Sequence, residues 1–189
     1  MSEIAEDSEL HEVAANRVPE DHVRISLGKI FAGRRVDVKL DTVTGVNYDT
    51  KTVIGKNGSY SYDYLVVAAG SKPTFFGTPG AEEYSYKLWS YDDAIRLKYH
   101  IFEVFKSAAS ETDPVEKRRL LTFYIVGAGF TGAEMAGELA EWIPYLCKEH
   151  DIPRRLVRIV AVDILDRIVP TFPAHVSEKA DRRLRKMGV

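Results

Sequence analysis

Leu120-Leu-Thr-Phe-Tyr-Ile-Val126 runs directly into Gly127-Ala-Gly-Phe-Thr-Gly132. The first stretch is an apolar run of β type and the second is G-x-G-x-x-G. Together they predict a strand, a tight turn and a helix, with a dinucleotide pyrophosphate seated at the helix start. Gly127 permits the turn off the strand, Gly129 lets main chain approach the phosphates, and Gly132 lets the helix lie close on the strand. A helix is expected over 131–147, because Ala133, Ala136, Leu139, Ala140 and Ile143 recur at helical spacing. Its free amides and dipole would face the phosphates. The binding candidates on this turn are Gly127, Ala128, Gly129, Phe130, Thr131 and Gly132. An ordinary α/β turn is the alternative; the strand before and the helix after favour the nucleotide.

Beyond the helix, an irregular stretch around Pro153 leads to a second strand, Val157–Asp163, completing a βαβ unit. Asp163 ends that strand. A carboxylate there accepts hydrogen bonds from adenine ribose hydroxyls and repels a 2′-phosphate, which favours NADH over NADPH. It lies further beyond Gly132 than the usual ~20 residues, an excess that fits an extended helix and exit loop over 142–155. The competing reading is a solvated aspartate at a strand end. Glu134 and Glu138 stand one turn apart on the same helix face. From spacing alone, Glu134 reads as an acid complementing the helix dipole, and Glu138 as structural or paired with a cation.

Upstream, the first ten residues are acidic and unpatterned, a frayed end. Ile25–Phe31 suits a short helix closed by Gly33. From Arg35 to Asp63 the pattern becomes an antiparallel meander: Val36–Leu40 alternates, Thr44–Tyr48 and Lys51–Ile54 flank the turn at Asp49-Thr50, and Asn57-Gly58 precedes Ser59–Tyr62. Leu65–Ala69 reads as a buried strand stopping at Gly70-Ser-Lys-Pro73, and Pro73–Gly80 as a linker. Ser90 and Asp93 form a capping-box variant that opens a helix with Ala94, Leu97, Ile101, Val104 and Phe105 on one face. Ser110–Lys117 is expected to be a polar loop, and Ala174–Lys186 an amphipathic helix with an exposed basic face.

The composition is that of a globular protein: 45% apolar, with 26 Lys and Arg against 28 Asp and Glu. That balance argues against nucleic acid as a partner. Cys147 is the single cysteine, which excludes an intrachain disulfide and points to a reducing, cytoplasmic compartment. The histidines at 11, 22, 100, 150 and 175 lack metal-ligand spacing, so no metal site is expected and surface or loop positions are assigned to them. The stretch 1–9 has no signal-peptide apolar region.

The motifs in this order resemble the pyridine nucleotide–disulfide oxidoreductases, flavoproteins with two dinucleotide-binding domains, and among them the type II NADH dehydrogenases. The strongest pieces are Tyr62–Ser71, Val126–Glu134 followed by Glu138-Leu139-Ala140, and Val162-Asp163 ahead of Arg167-Ile168-Val169-Pro170. Leu10–Ala15 and Val43–Val46 are similar to segments near the flavin. The fold class implied is α/β, a partial Rossmann-like two-dinucleotide fold with an antiparallel meander. Residues 1–80 would form part of an FAD-binding domain and 81–189 part of an NADH-binding domain.

The resemblance implies FAD contacts at Val43, Ala69, Gly70 and Ser71, and NADH on Gly127–Gly132 and Asp163. It also brings Glu134 to the nicotinamide–flavin contact as the catalytic candidate. Hydride would pass from NADH to FAD and on to a quinone. Full-length relatives would sit peripherally on the cytoplasmic membrane face, through segments not in this sequence, and a homo-oligomer is compatible. No glycine-rich βαβ precedes the meander, and the chain ends where a third parallel strand should begin. An incomplete, weakly active or inactive fragment is therefore expected. The alternatives are an NADH-binding module without redox activity, or a related flavoprotein reductase with another acceptor.

Overall fold

The parallel pair that the central motif predicts is present: β6 (Thr122–Val126) lies beside β7 (Arg158–Val162), in register from Thr122 opposite Arg158 to Val126 opposite Val162. This computed structural model describes residues 3–5 and 9–189, with side chains from residue 9 onward. The chain divides into two compact units, one of Met1–Ile4 and Ile25–Thr78, the other of Ala5–Arg24 and Pro79–Val189. The 5–24 segment thus belongs with the C-terminal residues. Short strands β1 (Glu3–Ala5) and β2 (Arg24–Ser26) pair with each other. Residues 3–5 are therefore a strand where a frayed end was expected, while 1–2 and 6–8 lie outside the described residues.

The first unit holds α2 (Leu27–Ile30), capped by Ser26, and the meander β3 (Val43–Asn47), β4 (Thr52–Gly55) and β5 (Ser59–Ser61). The three strands are antiparallel in the order β3-β4-β5. The turns fall at 48–51 and at Asn57-Gly58, as their residue types predict. Asp41 ties this sheet together, accepting from Tyr60 Oη at 2.8 Å and from the Asn57 amide at 3.0 Å.

Two expected strands are not formed. Val36–Leu40 and Leu65–Ala69 are irregular and, apart from half-buried Leu65, exposed, with Val66 86% and Val67 72% accessible. Both runs have the residues of a strand. A strand, however, is stable only when its main-chain donors and acceptors meet a neighbouring ladder, and no described strand pairs with either.

The second unit is built around α6 (Phe130–Glu149), which carries Met135, Ala136, Leu139, Ala140, Ile143 and Leu146 into the core. It runs through Pro144. Proline has no N–H to give the carbonyl four residues back, and the buried face on either side holds the helix together there. Against it pack α1 (Leu10–Ala14) and α4 (Tyr91–Ser110). The Ser90–Asp93 capping box is complete in both directions. On α4 the fully buried row is Ala94, Lys98, Ile101, Phe105 and Ala108, while Leu97 and Val104 are half-buried. Lys98 enters that row because Glu20 meets its Nζ at 3.0 Å.

Four-residue α3 (Ala81–Tyr84) precedes α4, and α5 (Pro114–Leu120) follows it where a polar loop was expected. Pro114 marks the first helical position, where its missing N–H costs nothing, and Asp113 caps the Val115 amide at 2.8 Å. A 3₁₀ turn at Arg154–Leu156 leads into β7, and α7 (Ala174–Met187) ends at Gly188 with φ 89°. Leu184 and Met187 of α7 reach the spot where a Cβ on Gly137 would stand, at 3.9 and 4.0 Å. The basic residues Lys179, Arg182, Arg183, Arg185 and Lys186 face outward as expected.

Phe123 and Ile125 of β6 pack on the core, while Tyr124 and Val126 are exposed. Among the described residues, no helix is long and apolar enough to cross a membrane.

Candidate functional site

Gly127 leaves β6 with φ 100°, a left-handed conformation that side chains rarely adopt, while its amide still donates to Val162 O at 2.8 Å. Helix α6 begins three residues on, with Gly129 as its N-cap and no side-chain cap. The first amides of a helix lack intrahelical acceptors, so the opening turn presents donors. At both Gly127 and Gly129 an added Cβ would meet no atom within 4 Å. Gly132 is the reverse: its Cβ would stand 1.8 Å from Gly127 O. One glycine closes the helix onto the turn, and two leave open space above the donors.

Asp163 reaches this turn directly. Its Oδ2 accepts from the Ala128 amide at 2.6 Å and its Oδ1 from the Leu165 amide at 2.9 Å. The Leu165 bond, then the Ala128 bond, hold the carboxyl below its ordinary value near 3.8 against a smaller opposing effect of burial. The 167–172 segment also folds onto the turn, with the Val169 amide donating to Ala128 O at 2.7 Å. Phe172 sets its ring edge-on to Phe130 at 5.0 Å.

Glu134, just beyond the first turn of α6, borders a cleft of about 210 Å³ shared with Phe130, Val169 and Arg183. Its Oε2 lies 3.8 Å from Nδ1 of His11. Glu138, one turn on, is paired with Arg17. The cation expected for Glu138 therefore comes from the chain that follows α1. Val43 and Ala69–Ser71 belong to the first unit, where all four are exposed, and Gly70 has φ 70° with open space at its Cβ position.

The histidines are less uniform than their spacing suggested. His22 and His175 are exposed. His11 is 12% accessible on α1, His100 stacks on Tyr86 at 4.2 Å, and His150 turns a buried Nε2 toward the core beside Phe105. All three are half-buried, His11 and His100 within helices and His150 in the turn after α6, because helix packing, invisible in spacing, partly covers them. His11, Glu12 and Glu138 bring one ligand atom each within 4.8 Å of one another. Glu138 is already neutralised there by Arg17.

Sequence reasoning missed His11, Arg17 and the clasp of Asp163 on Ala128. The last joins residues 35 apart, and only the placement of both at the ends of the two strands hinted at it.

Residues 3–189 match the family described as pyridine nucleotide-disulphide oxidoreductase. The chain belongs to that family. It is 33% identical over 190 residues to the type II NADH:quinone oxidoreductase Ndh of Mycobacterium tuberculosis, covering 95% of this chain and 40% of the relative. It is 30% identical to the type II NADH:quinone oxidoreductase of Staphylococcus haemolyticus, covering 95% and 44%. The chain thus spans less than half the length of these curated relatives. Its fold superposes on NDH2 from Plasmodium falciparum in complex with NADH with a TM-score of 0.87, at 20% identity, over 100% of this chain and 40% of the other.

The sulfide:quinone oxidoreductase of Aquifex aeolicus superposes with a TM-score of 0.73 at 16% identity, over 100% of this chain and 42% of the other. These likenesses establish the α/β two-dinucleotide fold class. Within this sequence Cys147 is the single cysteine, and burial pushes its thiol up.

Proposed function

We propose that this chain contributes the NADH-binding portion, and part of the FAD-binding portion, of a flavin-dependent NADH:quinone oxidoreductase. The carrying observation is the start of α6, an uncapped helix beginning at a glycine with open space above its donor amides. That space suits a pyrophosphate, for which the helix end supplies hydrogen bonds and positive potential. Asp163 takes the adenine ribose hydroxyls on its remaining lone pairs and repels a 2′-phosphate. Gly127–Gly132 hold the phosphates through main chain. Glu134 serves the nicotinamide end, beside the cleft that it shares with Phe130 and Val169.

Val43, Ala69, Gly70 and Ser71 offer main chain to FAD, and their exposure together with the open position at Gly70 supports that assignment. Bound FAD supplies the acceptor for the hydride of NADH and relays electrons to a quinone. Residues 1–80 are assigned to the flavin side and 81–189 to the NADH side. In the longer relatives' architecture the protein works peripherally at the cytoplasmic face of a membrane.

A second reading, an NADH-binding module without redox chemistry, draws on the exposed, unpaired course of Leu65–Ala69. Titration of the purified chain with NADH and with NADPH, followed by calorimetry, tests the proposal. Saturable NADH binding at least about tenfold tighter than NADPH, a difference of ~1.4 kcal/mol, is expected. Equal affinity, or none, refutes it. Yellow protein with flavin absorbance favours the enzyme, and colourless protein that binds NADH favours the module.

A further inference from the structure

The two oxygens of Asp163 each accept one main-chain amide and keep a further lone pair. They close a ring of interactions across the C-terminal ends of the parallel pair: Oδ2 receives the Ala128 amide at 2.6 Å, and Oδ1 receives the Leu165 amide at 2.9 Å. Ala128 is the first variable residue of the glycine-rich turn and is 3% exposed. Its neighbours on both sides are glycines, so the turn has little side-chain packing to hold it in one shape. Gly127 sits at φ 100° and has no contact at its Cβ position. Glycine gives up more conformational freedom on ordering than any other residue, so this turn needs an external restraint.

Two bonds on Ala128 supply it. Its carbonyl accepts from Val169 and its amide donates to Asp163. The second is charge-assisted, a class of hydrogen bond about twice as strong as a neutral one.

We infer that Asp163 is a positioning residue, whose carboxylate clasps the Ala128 amide and holds the glycine-rich turn in its binding shape before any nucleotide arrives. The clasp acts through main chain. It aims the Gly129–Gly132 amides outward by removing the Ala128 amide from the set of available donors. It also locks the end of β7 to the end of β6, beyond the last ladder bond from Gly127 N to Val162 O. A carboxylate is needed because both amides are served at once, one by each oxygen. Its depressed protonation range agrees with two amides favouring the charged form. This role is separate from ribose recognition and holds whether or not NADH is the ligand.

The test uses the whole chain without nucleotide, so its failure is distinguishable from failure of the NADH reading. In isotope-labelled protein, NMR should detect a scalar coupling across the hydrogen bond from the Ala128 amide nitrogen to the Asp163 carboxyl carbon. In Asp163→Ala, the Ala128 amide should exchange with solvent at least about tenfold faster, as expected for loss of a hydrogen bond to a charged group. Its proton resonance should move upfield while the Tyr124 and Val160 amides keep theirs. A merely structural role would shift all of these together. Absence of the coupling in the wild-type chain overturns the inference, even if Asp163→Ala fails to fold. An Ala128 amide with unchanged exchange in a folded Asp163→Ala chain overturns it equally.

Discussion

A Cβ on Gly132 would stand 1.8 Å from the carbonyl oxygen of Gly127, whereas a Cβ on Gly129 would meet nothing within 4 Å. The same motif therefore contains a glycine required by the fold and a glycine free to serve a ligand. Gly132→Ala must displace main chain, so a loss of about 3 kcal/mol, the upper end of ordinary overpacking, is expected in urea denaturation. Gly129→Ala should cost less than about 1 kcal/mol, the difference between these residues at an N-cap, yet weaken NADH binding. Equal stability loss in both variants would contradict this division.

Asp163 links stability to pH. Its folded-state carboxyl titrates below the ordinary value near 3.8. A depressed carboxyl contributes stability above its unfolded pKa, and that contribution disappears as pH falls through the folded value. Asp163→Asn should accordingly be less stable than wild type at pH 7, with the gap closing below about pH 4. Urea melts at pH 7, 5 and 3 measure the gap; a gap of constant size would count against the two amide bonds.

His100 works in the opposite chemical sense. Burial beside Tyr86 lowers its pKa from 6.5. The unfolded chain then binds the proton more readily, so the stability tied to neutral His100 is complete above about pH 6.5 and declines as pH falls through that value toward the folded one. An NMR titration of the His100 ring should give a midpoint below 6.5. A midpoint above it would show that the stack on Tyr86 leaves the ring solvated.

Phe105 is fully buried on α4, with its ring stacked on Phe123 at 6.0 Å and tilted against His150 at 6.1 Å. Phe105→Ala should cost about 3–5 kcal/mol and move the fluorescence of Trp142, which is buried on the facing helix against Phe102. A loss below about 1 kcal/mol would mean that Phe105 is not packed against Phe123 and His150 as described.

Much of this was legible in the residues because it is local. The capping box at Ser90 and Asp93, the apolar spacing on α6 and α7, and the turns of the β3-β4-β5 meander each depend on a few neighbouring positions. Helix α5 is hard to see because Pro114 and its polar neighbours have the composition of a loop, whereas Asp113 and Pro114 together form a helix start. Leu65–Ala69 misled for a different reason. Its residues suit a buried strand, but strand formation is decided by a partner ladder elsewhere in sequence. The glycine-rich turn and Asp163 were readable as separate candidates; that one clasps the other depends on how two strand ends meet. Arg17 and His11, beside Glu138 and Glu134, depend on how α1 docks on α6, and no spacing rule carries that.

The central claim, that the turn between β6 and α6 seats an adenine dinucleotide, is tested most directly by following the backbone amides of the isotope-labelled chain during titration with NADH. We expect saturable shifts concentrated at Gly127–Gly132 and Asp163, with the amides of the β3-β4-β5 meander unmoved. Absence of saturable shifts at Gly129, Phe130 and Thr131 would contradict the account.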